Sequence, residues 1–255
     1  MMGDAGAMLR VDGWTFPAST HGIALVLRAP IEPNAPLDWL HEVLLAPSHR
    51  DSFFALVDAH GLVVVKGVRA EEGAYRMVRG RSSRGRLSQG EYFHHDGCTG
   101  PIKPRVVEIR FPYQLVARHV ATAVAPFPGT VIAMLAELPS ALAEGASWGP
   151  WRDRVQDGVL SRAEWDTLQG LLTRAVRREL GADGARAYFR GVDARVGAYV
   201  EPWEAGESRF IANTNAERTM QHRRAWPLAM PEGTPNGNLV KRWPAEELGR
   251  DTMPG

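Results

Sequence analysis

Apolar and polar positions along the chain follow two periods, and the change from one to the other marks out the elements. Short apolar runs closed by Gly or turn residues predict strands, whereas apolar positions three and four apart predict helices. His21 to Leu27 (HGIALVL) is a strand by this rule, and Leu37, Leu40, Val43 and Leu44 put a helix over Leu37 to Leu45. Ser52 to Ala59 predicts a second helix, broken by His60-Gly61, after which Leu62 to Gly67 (LVVVKG) is a β-branched run of buried-strand character. Arg105 to Phe111 alternates, with Val106, Glu108 and Arg110 on one face and Val107, Ile109 and Phe111 on the other. The polar face predicts a wet barrel interior in which Arg110 meets a substrate carboxylate, with a salt bridge to Glu108 as the alternative role. Val120 to Val124 is a short strand, and Thr130 to Leu138 carries Val131, Met134, Leu135 and Leu138 at helical spacing before Pro139. Ser161-Arg162-Ala163-Glu164 matches a capping box and opens the longest helix, to about Leu180, with the apolar stripe Trp165, Leu168, Leu171, Leu172 and Val176. Arg195 to Val200, Phe210 to Thr214 and Gly237 to Trp243 return to strand character, and no internal repeat is visible.

Composition narrows the class. A chain of 255 residues with 44% hydrophobic content buries a sizeable core as a single domain, residues 1–255. Thirty basic and 29 acidic residues leave a net charge of +1, which gives no global reason to expect nucleic acid or a membrane surface as partner. A small-molecule substrate suits that balance better. The single cysteine, Cys98, excludes an intramolecular disulfide framework and any cysteine-based zinc site, as expected in a reducing cytosol. Met1-Met2-Gly3-Asp4 lacks a signal-peptide pattern, and no apolar run approaches the roughly 20 residues of a membrane helix, so a cytoplasmic protein is expected. Oligomeric state is not legible.

Candidate chemistry centres on Tyr92-Phe93-His94-His95-Asp96-Gly97. On a strand, residues two apart share a face, so His94 and Asp96 can offer an imidazole nitrogen and a carboxylate oxygen to one metal ion. A third ligand from far along the chain would complete the facial 2-His-1-carboxylate set that holds non-haem Fe(II) with positions left open. The alternative register, His95 with Gly97, would leave a carboxylate-free position of the kind that admits halide; the Asp between them favours the first register. His95 then faces away from the metal in a packing or supporting role. Just upstream, Arg76 to Arg86 carries five arginines and no acid. That segment is a solvated loop or a lid whose arginines meet an anionic substrate, and it lacks the aromatic interleaving of a single-strand nucleic-acid platform.

With those residues in place, the chain resembles the Fe(II)/2-oxoglutarate-dependent dioxygenases of the taurine dioxygenase and clavaminate synthase type. His60 to Gly67 is similar to the family's early "HG-apolar-strand-G" segment, Gln89 to Gly97 to its approach to the metal, and Asn213-Thr214-Asn215 with His222-Arg223-Arg224 to its distal-histidine segment. The resemblance spans about residues 50 to 243. It implies His222 as the distal ligand beside His94 and Asp96, and Thr122, 28 residues after His94, as a contact of the 2-oxoglutarate carboxylate. The family also places an Arg beyond the distal His to pair with the far carboxylate. Here Arg242 lies 20 residues on, further than usual, with Pro227 to Asn238 as an inserted loop; Arg224 is its competitor. Arg242 is favoured because it sits on a strand, and a guanidinium fork matches a carboxylate in a way Lys241 cannot.

The resemblance implies a double-stranded β-helix, a jelly roll of two facing sheets as in cupins, buttressed by helices at 37–59, 130–138 and 161–180. It further implies hydroxylation, desaturation or ring closure at an unactivated C–H bond of a small carboxylate or amino-acid-derived substrate in secondary metabolism or catabolism. O2 and 2-oxoglutarate would be consumed, and succinate and CO2 released. Two other classes stand beside it: a cupin-like metalloenzyme that uses His94, Asp96 and His222 without 2-oxoglutarate, and an inactive jelly-roll binding protein. Only a 2-oxoglutarate site requires the Thr122 and Arg242 pair. Trp203, Trp226 and Trp243 are expected to pack rather than clamp substrate.

Overall fold

A computed structural model of the chain describes residues 7–11, 14–29, 45–67, 92–95, 104–110, 121–144, 148–204, 207–214, 218–225 and 239–244. Strands β1 (Ala7–Val11), β2 (Trp14–His21) and β3 (Ala24–Arg28) form an antiparallel meander. Helix α1 (Arg50–His60) leads into β4 (Leu62–Lys66), which pairs parallel with β3. With β8 (Ser208–Ala212), β5 (Pro104–Arg110) and β10 (Leu239–Pro244) these make a seven-stranded sheet, ordered β1-β2-β3-β4-β8-β5-β10. A three-stranded sheet, β7-β6-β9, joins Tyr199–Pro202, Ala121–Pro126 and Met220–Ala225.

The two sheets face one another because each carries an apolar row on its inner side. Leu62, Val64, Val107, Ile109 and Ile211 from the large sheet share one buried cluster with Val124, Tyr199 and Met220 from the small one. Helix α1 covers the outer face of the large sheet, packing Phe53, Phe54 and Val57 on Val63, Val65, Val106 and Phe210. The outer face of the small sheet, Ala123 and Ala125, is covered by α2 (Gly129–Ala136) and by the long α5 (Arg162–Val196). Two short helices, α3 (Ser140–Ala143) and α4 (Gly149–Gln156), connect them. The result is a two-sheet sandwich clad by helices on both outer faces.

Most predicted elements are present, and the differences have physical reasons. The helix predicted over 37–45 and the arginine-rich segment 76–86 lie outside the described residues, except that Leu45 is a buried turn residue. Strand β2 was not predicted; its alternation is carried by Phe16 and Ala18, buried between exposed Thr15, Pro17 and Ser19, and so forms no apolar run. The capping box forms as expected: Glu164 accepts from the Ser161 backbone at 2.8 Å, and the Ser161 hydroxyl accepts from the Glu164 N–H. The helical backbone is interrupted near the predicted end, at Gly181 (φ 65°, ψ −170°), where a left-handed φ costs glycine little. Helix then resumes to Val196, so the strand predicted over Arg195 to Val200 is shortened to β7. Ala185, Tyr188, Phe189 and Val192 bury one helical stripe there.

The predicted face of β5 is also reversed. Val107 and Ile109 point between the sheets, while Val106 packs toward α1 and Glu108, in phase with it, accepts from Ser208 at 3.2 Å. Because residues two apart share a face, Val106 and Glu108 belong to the outer side of the sandwich. The side chain of Arg110, and with it the substrate contact expected there, lies outside the described residues.

A charged residue also lies between the sheets. Arg209, on β8, is fully buried, with its guanidinium 4.0 Å from the Trp203 ring and 4.9 Å from that of Tyr199. It donates to Glu207 at 2.5 Å, to the Thr122 carbonyl at 3.1 Å and to the Glu201 carbonyl at 2.9 Å. Glu207 is itself fully buried, so the charges neutralise one another away from water. Arg209→Met, which leaves the buried Glu207 carboxylate with Lys66 at 3.9 Å as its charge partner, is expected to cost about 3 kcal/mol in urea unfolding; a loss under about 1 kcal/mol would contradict the clamp. The Ser161 backbone, Arg154 and the Ser161 hydroxyl hold the Glu164 carboxyl down at about 2. A depressed carboxyl stabilises the fold above its unfolded value and loses that contribution as pH falls toward 2. The melting-temperature gap between wild type and Glu164→Ala should accordingly be widest at neutral pH and close between about pH 4.5 and 2.

Candidate functional site

Strand β9 sorts its side chains by the two-residue period of a strand. Met220 points into the space between the sheets, and His222 follows it on that face, opposite Val124 of β6. Gln221 and Arg223 point the other way, toward α5. On the other edge of β9, His94 makes an antiparallel bridge with His222 through N–H···O bonds of 3.0 and 3.1 Å. Directly opposed residues of such a pair share a face. Their imidazole centroids are accordingly 4.4 Å apart. The His94 Nδ1 lies 2.8 Å from the Tyr92 carbonyl. Donation to that oxygen fixes the tautomer and makes Nε2 the acceptor nitrogen of the ring.

Alternation also settles what His95 does. It is buried on the helix side, 3.1 Å from the Gln221 amide and 3.2 Å from the Arg162 guanidinium, with its ring edge-on to Phe127 at 4.9 Å. His94, not His95, is the residue brought beside His222. Behind the pair, Gln169 of α5 donates to the Phe93 carbonyl at 2.8 Å and to Gln221 Oε1 at 3.0 Å, while Gln221 donates back at 2.6 Å. Thr130 adds a hydrogen bond to Gln221 at 2.6 Å. On the far side of His222, Arg223 donates from Nε to Asp193 Oδ1 at 3.0 Å. Burial pushes the Asp193 carboxyl up, and the Arg223 guanidinium opposes that. Gln169 went unpredicted because a helical stripe read for apolar residues passes over polar ones, and Asp193 because the helix was expected to end near Leu180.

Thr122 is buried on β6, and its hydroxyl accepts from the Trp203 indole at 3.0 Å. A hydroxyl that accepts one bond keeps its own proton to donate. Arg224 pairs in register with Thr122, and Arg242 pairs with Val107 of the inner face. The side chains of Arg224 and Arg242 lie outside the described residues, as does all of Asp96. Among the described residues no three His, Cys, Asp or Glu side chains cluster as a metal site, and no helix is long and apolar enough to cross a membrane. An open pocket of about 410 Å³ lies where the β2–β3 turn meets the end of α1 and the start of β9, lined by Ile23, His60, Phe127, Arg218 and Met220 among others. Burial, with the Arg218 charge as a second cause, holds His60 below its ordinary value.

No family model matches the chain, and no curated protein matches it. Among solved structures, the chain is similar to AAD-2 in complex with Mn(II) and N-oxalylglycine, at 11% identity over 91% of this chain and 98% of that one, with a TM-score of 0.43. It is similar also to PvcB from Pseudomonas aeruginosa, at 13% identity over 95% and 92% with a TM-score of 0.40. A taurine dioxygenase from Burkholderia xenovorans matches at 11% identity over 94% and 90%, again with a TM-score of 0.40.

A His pKa depressed in the folded state means stability that is present above about pH 6.5 and lost as pH falls through the folded value. Followed by NMR, the His60 ring should titrate below 6.5 in the wild type. In Arg218→Ala it should move up yet stay below that figure, since burial is the larger cause. A wild-type midpoint at or above 6.5 would contradict this arrangement.

Proposed function

We propose that the chain is a non-haem Fe(II)- and 2-oxoglutarate-dependent oxygenase of the taurine dioxygenase type, built on a double-stranded β-helix. The observation that carries this reading is the His94–His222 pair: two imidazoles on adjacent, backbone-bonded segments, on the inner face of a two-sheet sandwich, with the His94 Nδ1 occupied by the Tyr92 carbonyl. The donor chemistry fits the metal. Imidazole suits iron, the second-layer carbonyl is the usual partner of a ligating His, and Asp96 follows His94 at strand spacing to supply the carboxylate. His94, Asp96 and His222 would hold Fe(II), and metal with cosubstrate would supply O2 activation at a C–H bond while 2-oxoglutarate becomes succinate and CO2.

The chain's own residues do the rest. Thr122 donates its hydroxyl proton to a carboxylate of 2-oxoglutarate while its oxygen accepts from Trp203, which fixes the hydroxyl's direction. Arg242, on β10 beside an inner-face residue, pairs with the far carboxylate, and Arg224 on β9 is the competitor. The apolar lining between the sheets, Val107, Val124 and Ile211, keeps water from the reacting bond. The substrate is small, carboxylate-bearing or amino-acid-derived, and is hydroxylated, desaturated or cyclised.

Anaerobic addition of Fe(II) and 2-oxoglutarate is expected to give the weak visible charge-transfer band of a chelated keto acid. His222→Ala and Asp96→Ala together should abolish it. Absence of the band in wild type that binds iron would remove the cosubstrate and leave a cupin-like metal site, and no iron binding at all would leave a binding protein. Arg242→Met should weaken 2-oxoglutarate binding about tenfold or more, the cost of an unmatched buried carboxylate, with Arg224→Met near wild type; the reverse order would hand the role to Arg224.

A further inference from the structure

The two histidines sit on separate segments, 128 residues apart in sequence, and two backbone hydrogen bonds join them directly. What else fixes their separation lies on the helix side. Gln169 is nearly fully buried and reaches both segments at once: one N–H of its amide bonds the Phe93 carbonyl, the peptide oxygen immediately before His94, and its amide exchanges hydrogen bonds with Gln221, immediately before His222. Gln221 in turn is held by Thr130 on α2 and touches His95, itself gripped by Arg162 at the start of α5. Every donor and acceptor in the pair of amides is used in one consistent orientation. A purely structural core would place an aliphatic side chain here at lower desolvation cost. A buried polar network of this kind restricts the segments it joins to one relative position.

We infer that Gln169 is a positioning residue for the metal centre, setting the separation of the His94- and His222-bearing segments from the side opposite the metal. The inference rests on the reading of His94 and His222 as ligands. Gln169 touches neither metal nor substrate and acts through the peptides that precede the two histidines. The other half of α5, beyond the break at Gly181, holds Arg223 through Asp193. Strand β9 is thus held on both sides of His222; Gln169 is the α5 side chain that hydrogen-bonds both segments at once, beside the direct Gln221–His95 contact at 3.1 Å.

The test is Co(II) binding by the apo full-length chain, followed by calorimetry and by the visible ligand-field spectrum, which reports the coordination geometry independently of turnover. Outer-layer partners of metal-ligating histidines are typically worth 10–100-fold in affinity. Gln169→Met, of similar length and without hydrogen-bonding groups, is expected to bind Co(II) at least tenfold more weakly and with an altered spectrum. Tyr188→Phe is the control for general destabilisation: it removes another buried α5 hydrogen bond, to the Met134 carbonyl at 2.5 Å, far along the helix from the pair. It should lower the melting temperature while leaving affinity within about twofold. Should Gln169→Met not fold, Thr130→Val removes one bond of the same network isosterically and should weaken binding about threefold, roughly the value of one neutral hydrogen bond. Wild-type affinity and spectrum in either folded variant would overturn the inference while leaving the metal reading intact. Failure of the wild type to bind Co(II), or unchanged binding in His222→Ala, would overturn both.

Discussion

The site depends on a charge buried between two sheets. Arg209 reaches from β8 across the inner space to the carbonyls of Thr122 on β6 and Glu201 on β7, and is stacked against Trp203 and Tyr199 while Glu207 balances it. Apolar packing alone is tolerant of sliding, because methyl groups do not care which neighbour they meet. A guanidinium with four directed partners, the Pro202 carbonyl among them, does care. By tying named carbonyls of the small sheet to the large one, Arg209 sets where Thr122 stands relative to the inner face, and Trp203, its stacking partner, is also the donor to the Thr122 hydroxyl. The same residue that orders the interior therefore also orients the side chain proposed to meet the cosubstrate.

The opposite side of the small sheet repeats this use of polarity in neutral form. Along β9 the inner positions are Met220 and His222, and the outer ones are Gln221 and Arg223, each joined to a different half of the broken helix α5. A strand offers alternate residues to alternate faces, so one six-residue segment supplies a candidate ligand to one side and two anchors to the other. The His94 segment obeys the same rule, with His94 inward and His95 among Gln221, Arg162 and Phe127. That alternation is the physical basis for choosing between two adjacent histidines.

Much of this was legible along the chain. The β-branched run of β4, the capping box of α5 and the stripe Leu168, Leu172, Val176 announced themselves because they rest on local chemistry, and each is where periodicity put it. The pairing of His94 with a distal His came from resemblance, and the structure sets those two rings side by side. What stayed hidden was polar and buried. Arg209 lies one residue before the predicted strand at Phe210 and drew no reading of its own; Gln169 sat within a helix read for its leucines. For β5, alternation gave the two faces correctly but not which one turns inward, because a strand with Glu and Arg on one side is compatible with a polar interior or with an outer face closed by a helix.

The sequence by itself determined most local elements, the exclusion of an intramolecular disulfide, and the candidate donors His94, Asp96 and His222, since propensity, capping and residue type act over a few neighbouring positions. Tertiary structure alone decided which face of β5 meets the small sheet, that His94 rather than His95 stands beside His222, and that Arg209 and Gln169 lie at the centre of the interior networks. Those outcomes turn on pairing between segments more than a hundred residues apart, His94 with His222 and Glu108 with Phe210, where the sum of burial over the whole sandwich outweighs any preference a single segment carries.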